Sequence, residues 1–237
     1  MRLLAKAGVS ACIGLVAAVL APTIARGAAP EAAVTFLSGQ ADGGPEGKLR
    51  PLKMGAKVRF GDHVRTAKDT RLELTLPDGS RVRLAGETEV KLTRAGFEGR
   101  KRESVSLRLL AGRLWASVVR ATGGKDTFEV ETANAVSGVR GTSFAVLAAS
   151  DTSALVRVYS GSVGVRPSAA KAGPRREVPG PQEIDRRQWE EIIATAMKQV
   201  RVSAAGDIAP AEDFEDSGDS LEWAKWNQGR DAKSGTE

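Results

Sequence analysis

From Ala33 to about Val178, apolar residues fall on alternate positions in short runs separated by glycine-rich turns. Leu72, Leu74 and Leu76 alternate with Arg71, Glu73 and Thr75. After Pro77-Asp78-Gly79, Val82 and Leu84 alternate with Arg81 and Arg83. Period two is the signature of a strand with one buried face, and a Pro-Asp-Gly turn between two such runs makes a hairpin. The series continues through Val90 and Leu92, through Val105, Leu107 and Leu109, and beyond Gly112 through Leu114, Ala116 and Val118. Phe128 with Val130, Phe144 with Val146, Val156 with Val158, and Val163 with Val165 extend it. Runs recur at roughly the 8–12-residue spacing of a sandwich or barrel. No helical period interrupts them, which disfavours strands alternating with crossover helices. The class this predicts is all-β.

The first 27 residues read as an export signal outside the fold. Arg2 and Lys6 precede an uncharged apolar run from Ala7 to Ala21, and small residues follow at Ala25, Gly27 and Ala29. The run is short for a membrane span of about 20 residues, and no second one occurs, so no stable span is expected after cleavage. An uncleaved anchor is the competing reading. Cys12, the single cysteine, lies inside this run, so the exported chain needs no disulfide. Localisation is therefore expected to be periplasmic or secreted.

Charge narrows the partners. The whole chain carries a net +6, but without Arg2, Lys6 and Arg26 the balance is 32 basic against 29 acidic residues. An exported chain of that balance is not expected to bind nucleic acid. The most basic short stretch, Arg94–Arg102, reads as a solvated hairpin connection whose Arg100, Lys101 and Arg102 are candidate contacts for an anionic polymer.

Catalytic and metal chemistry find little support. His63 is the one histidine, no nucleophile-elbow sequence is present, and a zinc site needs about three or four His, Cys or carboxylate ligands. The Gly39–Gly47 stretch lacks the lysine and helix of a phosphate loop. No cofactor, metal or catalytic residue is expected, and the chain is read as not an enzyme.

After Pro179-Gly180-Pro181 the pattern changes. Trp189, Ile192, Ile193, Ala196, Met197 and Val200 share a helical period, which predicts an amphipathic helix over 182–202 packed on the β domain of residues 32–180. Residues 204–237, rich in Gly, Asp and Glu, are expected to be a flexible tail. The tail holds Trp223 and Trp226, either as a docking peptide for a partner or as a turn folded back on the domain.

Five segments in order resemble the FecR-type periplasmic domain. They are LKMGAKVRFGDHVRT from Leu52, LELTLPDGSRVRL from Leu72, LLAGRLWASV from Leu109, FEVETANAVSGVRGTSF from Phe128 and VRVYSGSVGV from Val156. The resemblance implies a β-sandwich or double-stranded β-helix, jelly-roll-like in topology. It also marks Gly61, Asp62, Thr66, Asp78, Gly79, Gly112, Gly138, Gly141 and Thr142 as motif positions. Elementary chemistry gives these residues turn-building work: glycines for positive φ, aspartates for bonds to nearby amides. Arg140, inside the VRGT turn, either pairs with a carboxylate or covers a sheet edge, or else Val139–Thr142 lines a ligand site. Family sensors place a cytoplasmic anti-sigma segment before a membrane helix, whereas this chain opens on an export signal, so sigma-factor control is not carried over.

The expected function is an exported, non-enzymatic binding or sensing module of the bacterial cell envelope, engaging a protein partner. The alternatives are a scaffold for peptidoglycan or anionic polysaccharide and, last, a glycan-active enzyme.

Overall fold

The computed structural model describes residues 29–120, 126–139, 141–168 and 192–234. The N-terminal half holds β1 (Glu31–Ser38), β2 (Ala41–Gly44), β3 (Arg50–Pro51), β4 (Lys57–Arg59), β5 (His63–Thr66), β6 (Arg71–Thr75), β7 (Arg81–Leu84), β8 (Glu89–Glu98) and β9 (Lys101–Ser117). Then come β10 (Thr127–Glu131), β11 (Ala135–Val139), β12 (Ser143–Ala148), β13 (Ala154–Ser160), β14 (Ser162–Pro167), β15 (Ile192–Thr195), β16 (Lys198–Val202) and β17 (Glu212–Asp213). One helix, α1 (Gly218–Ser234), closes the described chain.

The strands form two layers. The front sheet runs β4-β1-β6-β7-β9-β12-β13-β16-β17 and is antiparallel throughout. The back sheet runs β3-β2-β5-β8-β9-β10-β11-β14-β15, with β9–β10 its parallel pair. Long β9 bends from one layer into the other and joins them, and the assembly does not close into a barrel. Other consecutive strands also pass from one layer to the other, such as β7 into β8 or β13 into β14. This winding makes a β-sandwich of the double-stranded β-helix type, as the family resemblance implies.

Alternation sorts the side chains. Leu72, Leu74, Val82, Leu84, Leu114, Phe144, Val146, Val156 and Val158 point inward from the front sheet and are buried. Val90, Leu92, Leu107, Phe128, Val130, Val163 and Val165 meet them from the back sheet. The space left between Ala32, Leu74, Leu76 and Val82 on one side and Val90, Leu92 and Leu107 on the other is only about 10 Å³. The two layers pack closely there.

The corners between layers share one construction. Among the described residues these corners carry φ between +55° and +109°, at Gly39, Gly55, Gly61, Asp69, Glu87, Gly112, Gly141, Gly161 and Met197. At three corners the glycine abuts a threonine of the neighbouring corner. A Cβ on Gly112 would sit 2.5 Å from Thr88 Oγ1, and one on Gly161 would sit 2.8 Å from Thr142 Oγ1. Gly39 meets Thr70 in the same way. The threonine then bonds the backbone just beyond the glycine. Thr88 Oγ1 accepts from Arg113 N at 3.0 Å, Thr70 Oγ1 accepts from Gln40 N at 3.1 Å, and Thr142 Oγ1 donates to Ser162 O at 3.0 Å. A side chain at those glycines would clash as well as strain the backbone.

Two sequence expectations are corrected. The helix predicted over 182–202 is not formed where that span is described: Ile192–Thr195 and Lys198–Val202 are strands, joined at Ala196-Met197. Residues 182–191, with Trp189, lie outside the described residues. The apolar spacing fits a strand equally well, since Ala194, Val200 and Val202 are all buried. The β-branched content favours strands, and the free edges of β13 and β14 supply the pairing. The tail expected to be flexible is ordered structure: β17 pairs with β16, and the fold's helix lies at Gly218–Ser234. Burial of Phe214, Trp223 and Ala224 supplies the stabilisation that its polar composition conceals.

Candidate functional site

The outer face of the front sheet is where the structure concentrates its unusual chemistry. Glu73, Arg83, Trp115, Ala145, Arg157 and Gln199 stand opposite one another in register across six strands. Such a row would be solvated in an open sheet. Here α1 lies over it, and Glu73 and Arg83 are almost wholly buried.

The helix is fastened by charge. Arg83 Nε donates to Glu73 Oε2 at 2.6 Å, and its Nη1 donates to Asp231 Oδ1 at 2.6 Å and to the Asn227 carbonyl at 3.3 Å. The second Asp231 oxygen accepts from Trp115 Nε1 at 3.1 Å. Arg230 reaches both Glu73 oxygens at 3.0 Å, and Thr35 Oγ1 donates to Glu73 at 2.8 Å. Burial alone pushes the Glu73 carboxyl up, but the bonds from Arg230, Arg83 and Thr35 outweigh it and hold the pKa down to about 2.

Aromatic contacts complete the clasp. Trp223 and Trp226 stack at 5.2 Å, the Arg230 guanidinium lies 4.4 Å from the Phe36 ring centre, and Arg71 lies 5.1 Å from that of Trp226. Trp115 meets Tyr159 at 4.4 Å. Burial, then the charge and hydrogen bond of Asp216, push the Tyr159 hydroxyl above its ordinary value. Asp216 also pairs with Arg157 at 2.8 Å.

Beside the N-terminal part of α1 a groove of about 130 Å³ remains, lined by Arg113, Leu147, Leu155, Tyr159, Ser220 and Trp223 among others. Arg113, Leu147 and Leu155 stand opposite one another on β9, β12 and β13, and Leu155 faces Arg201 on β16. The groove is thus a short apolar strip with Arg113 at one end, and Arg201 stands in the same row one strand beyond Leu155, outside the groove's lining. Arg157 is occupied by Asp216, and Arg201 forms an exposed pair with Glu212 at 3.0 Å. The Arg113 side chain has no ion pair or hydrogen bond among the described residues.

The candidates from sequence are scattered. Arg140 lies outside the described residues. The stretch read as a loop at Arg94–Arg102 is the end of the β8–β9 hairpin, where Arg100 and Lys101 are exposed. Arg102 contradicts its assignment as a surface contact, because its side chain is fully buried between two carboxylates. It pairs with Asp78 and, at 3.0 Å, with Asp126, and also bonds Ser80 Oγ and the Val119 carbonyl. A register shift between Ser104 and Arg102 turns it to the side of Val105 and Leu107, and those partners make that position habitable for a cation. Trp223 and Trp226 fold back on the domain, and Trp223 is buried.

Most motif positions do structural work. Asp78 accepts from Ser80 N at 3.0 Å, closing the hairpin turn at Gly79, whose φ is +85°. Asp62 caps Arg59 N at 3.1 Å beside Gly61, and Thr66 Oγ1 donates to the Ala85 carbonyl at 2.6 Å. Gly112, Gly141 and Thr142 belong to the corners described above. Gly138 lies on β11 opposite Gly164, and a Cβ there would meet nothing.

Sequence reasoning missed Glu73, Arg83, Arg230 and Asp231. A signal was present: Trp223, Trp226, Asn227, Arg230 and Asp231 fall at i, i+3, i+4, i+7 and i+8. Three of those five are polar, so a search for apolar periodicity passes over the helix.

Residues 62–164 match the family model described as FecR protein. Two crystal structures, at 1.65 and 2.50 Å, of a candidate anti-sigma factor from Parabacteroides distasonis are similar to the chain. Identities are 20% and 21% and TM-scores 0.49 and 0.48, over 70% of this chain. The chain spans 65% and 64% of the length of those two proteins. No curated protein matches it.

Proposed function

From the match of residues 62–164 to the FecR family model, we propose that this chain is an exported, non-enzymatic binding or sensing module of the cell envelope that engages a protein partner. The observation that carries this reading is the outer face of the front sheet. The chain's own helix packs on it and leaves an apolar groove, at whose rim Arg113 has no carboxylate partner among the described residues. Elsewhere, the buried charges Glu73, Arg83 and Arg102 are engaged in internal pairs that hold strands, hairpin and helix together. A face of this composition suits an anchor side chain with a polar rim, the usual anatomy of a protein contact.

The test uses the chain from Ala28 onward, with a photo-reactive residue at Leu155 or, as control, at Lys101, exposed to envelope extract. A discrete protein adduct at the Leu155 position, absent from the control, is expected. Salt-sensitive retention on peptidoglycan with no protein adduct at either position overturns the reading.

A further inference from the structure

We infer that the groove beside α1 accepts an extended acidic peptide segment in which acidic, apolar and acidic side chains alternate with residues that face away. The inference rests on the binding-module reading above and names the chemistry of its partner. Arg113, Leu147, Leu155 and Arg201 form one row across β9, β12, β13 and β16. Neighbouring strands lie about 4.8 Å apart, so the two arginines at the ends are separated by about 14 Å. An extended peptide advances about 3.3–3.4 Å per residue with side chains on alternate faces, so residues i, i+2 and i+4 span about 13–14 Å on one side. Carboxylates at i and i+4 then meet Arg113 and Arg201, and the side chain at i+2 lies over Leu147 and Leu155.

Volume and charge agree with that register. The groove's 130 Å³ is close to the roughly 150 Å³ apolar cavity that holds one benzene ring. One aromatic or branched side chain therefore fills it, with Trp223 and Tyr159 beside it. Arg113 has no carboxylate to surrender among the described residues, and the Arg201–Glu212 pair is exposed on both sides and exchanges at little cost. A basic peptide would bring a cation against Arg113, whereas Arg157 and Arg201 are already paired with Asp216 and Glu212.

The experiment titrates three acetylated pentapeptide amides into the chain from Ala28 onward, followed by calorimetry and by NMR of the Leu147, Leu155 and Trp223 signals. The first has two glutamates and a central phenylalanine separated by serines. The second replaces the glutamates by lysines, and the third replaces the phenylalanine by serine. The first peptide is expected to bind at least about fivefold more tightly than either of the others and to shift the groove signals. Arg113→Glu should weaken it about tenfold and strengthen the lysine peptide, while Leu155→Ser should weaken it without reversing the charge preference. Both variants are checked for an unchanged unfolding midpoint. Equal binding of the three peptides, indifference to Arg113→Glu, or shifts confined to other surfaces overturns the inference. If the envelope adduct forms but survives Arg113→Glu, the binding-module reading stands and the groove chemistry falls. If the first peptide keeps its preference while no envelope adduct forms, the groove chemistry stands and the envelope partner falls.

Discussion

Replacing Glu73 by glutamine tests the clasp at its most buried charge. The carboxylate lies beside two guanidiniums, Arg83 at 2.6 Å and Arg230 at 3.0 Å, and its side chain is 4% exposed. Its pKa falls from 4.5 to about 2, a shift worth about 3 kcal/mol of folding stability at 1.36 kcal/mol for each pH unit. Removing one member of a buried pair costs roughly 3–5 kcal/mol by a separate route, so the two arguments converge. Because the folded value lies below the unfolded one, this stability is fully present above pH 4.5 and is lost as the pH falls from 4.5 toward 2. Glu73→Gln keeps the shape and one acceptor but not the charge. Urea unfolding of the chain from Ala28 onward, followed by tryptophan fluorescence, should show the variant about 3 kcal/mol less stable at pH 7. The gap should narrow steadily below pH 4.5 and shrink to well under about 1 kcal/mol near pH 2, where the native side chain is half protonated. A gap under about 1 kcal/mol at pH 7, or one that does not change with pH, would refute the reasoning.

Two further perturbations separate fold-building residues from surface ones. Arg102→Met leaves Asp78 and Asp126 buried without their cation and should cost about 3–5 kcal/mol in urea unfolding, whereas Arg100→Ser and Lys101→Ser should each stay within about 0.5 kcal/mol. Equal effects would show that the hairpin's charges act together instead. Gly112→Ala should lower stability by at least about 2 kcal/mol, because the new Cβ meets Thr88 and the Glu87 carbonyl as well as the strain of positive φ. Gly99→Ala, in open space at φ +61°, should cost about 1 kcal/mol, and thermal melts of the two proteins rank them.

Amino-acid order alone determines the class and the inner surface. Alternation from Leu72 to Val165 names the residues that line the sandwich, because a pleated strand must place every second side chain on one face. The turn residues Asp78, Gly79, Gly112 and Gly161 are equally local, since backbone conformation at a bend is set by the residue occupying it. Local pattern is a poorer guide at Ile192–Val202, where apolar spacing fits helix and strand alike and the free edges of β13 and β14 choose the strand. It fails at Glu73 and Arg83, which hold the solvent parity of their strands. Only the arrival of α1, whose Arg230 and Asp231 lie about 150 positions later, turns that parity into an interior. Burial of a charge depends on which distant partners close around it, and no short window of sequence contains Glu73, Arg83 and Asp231 together. The groove at Arg113, Leu147 and Leu155 has the same origin: three separate strands supply its floor, the helix supplies its wall, and tertiary packing alone brings them side by side.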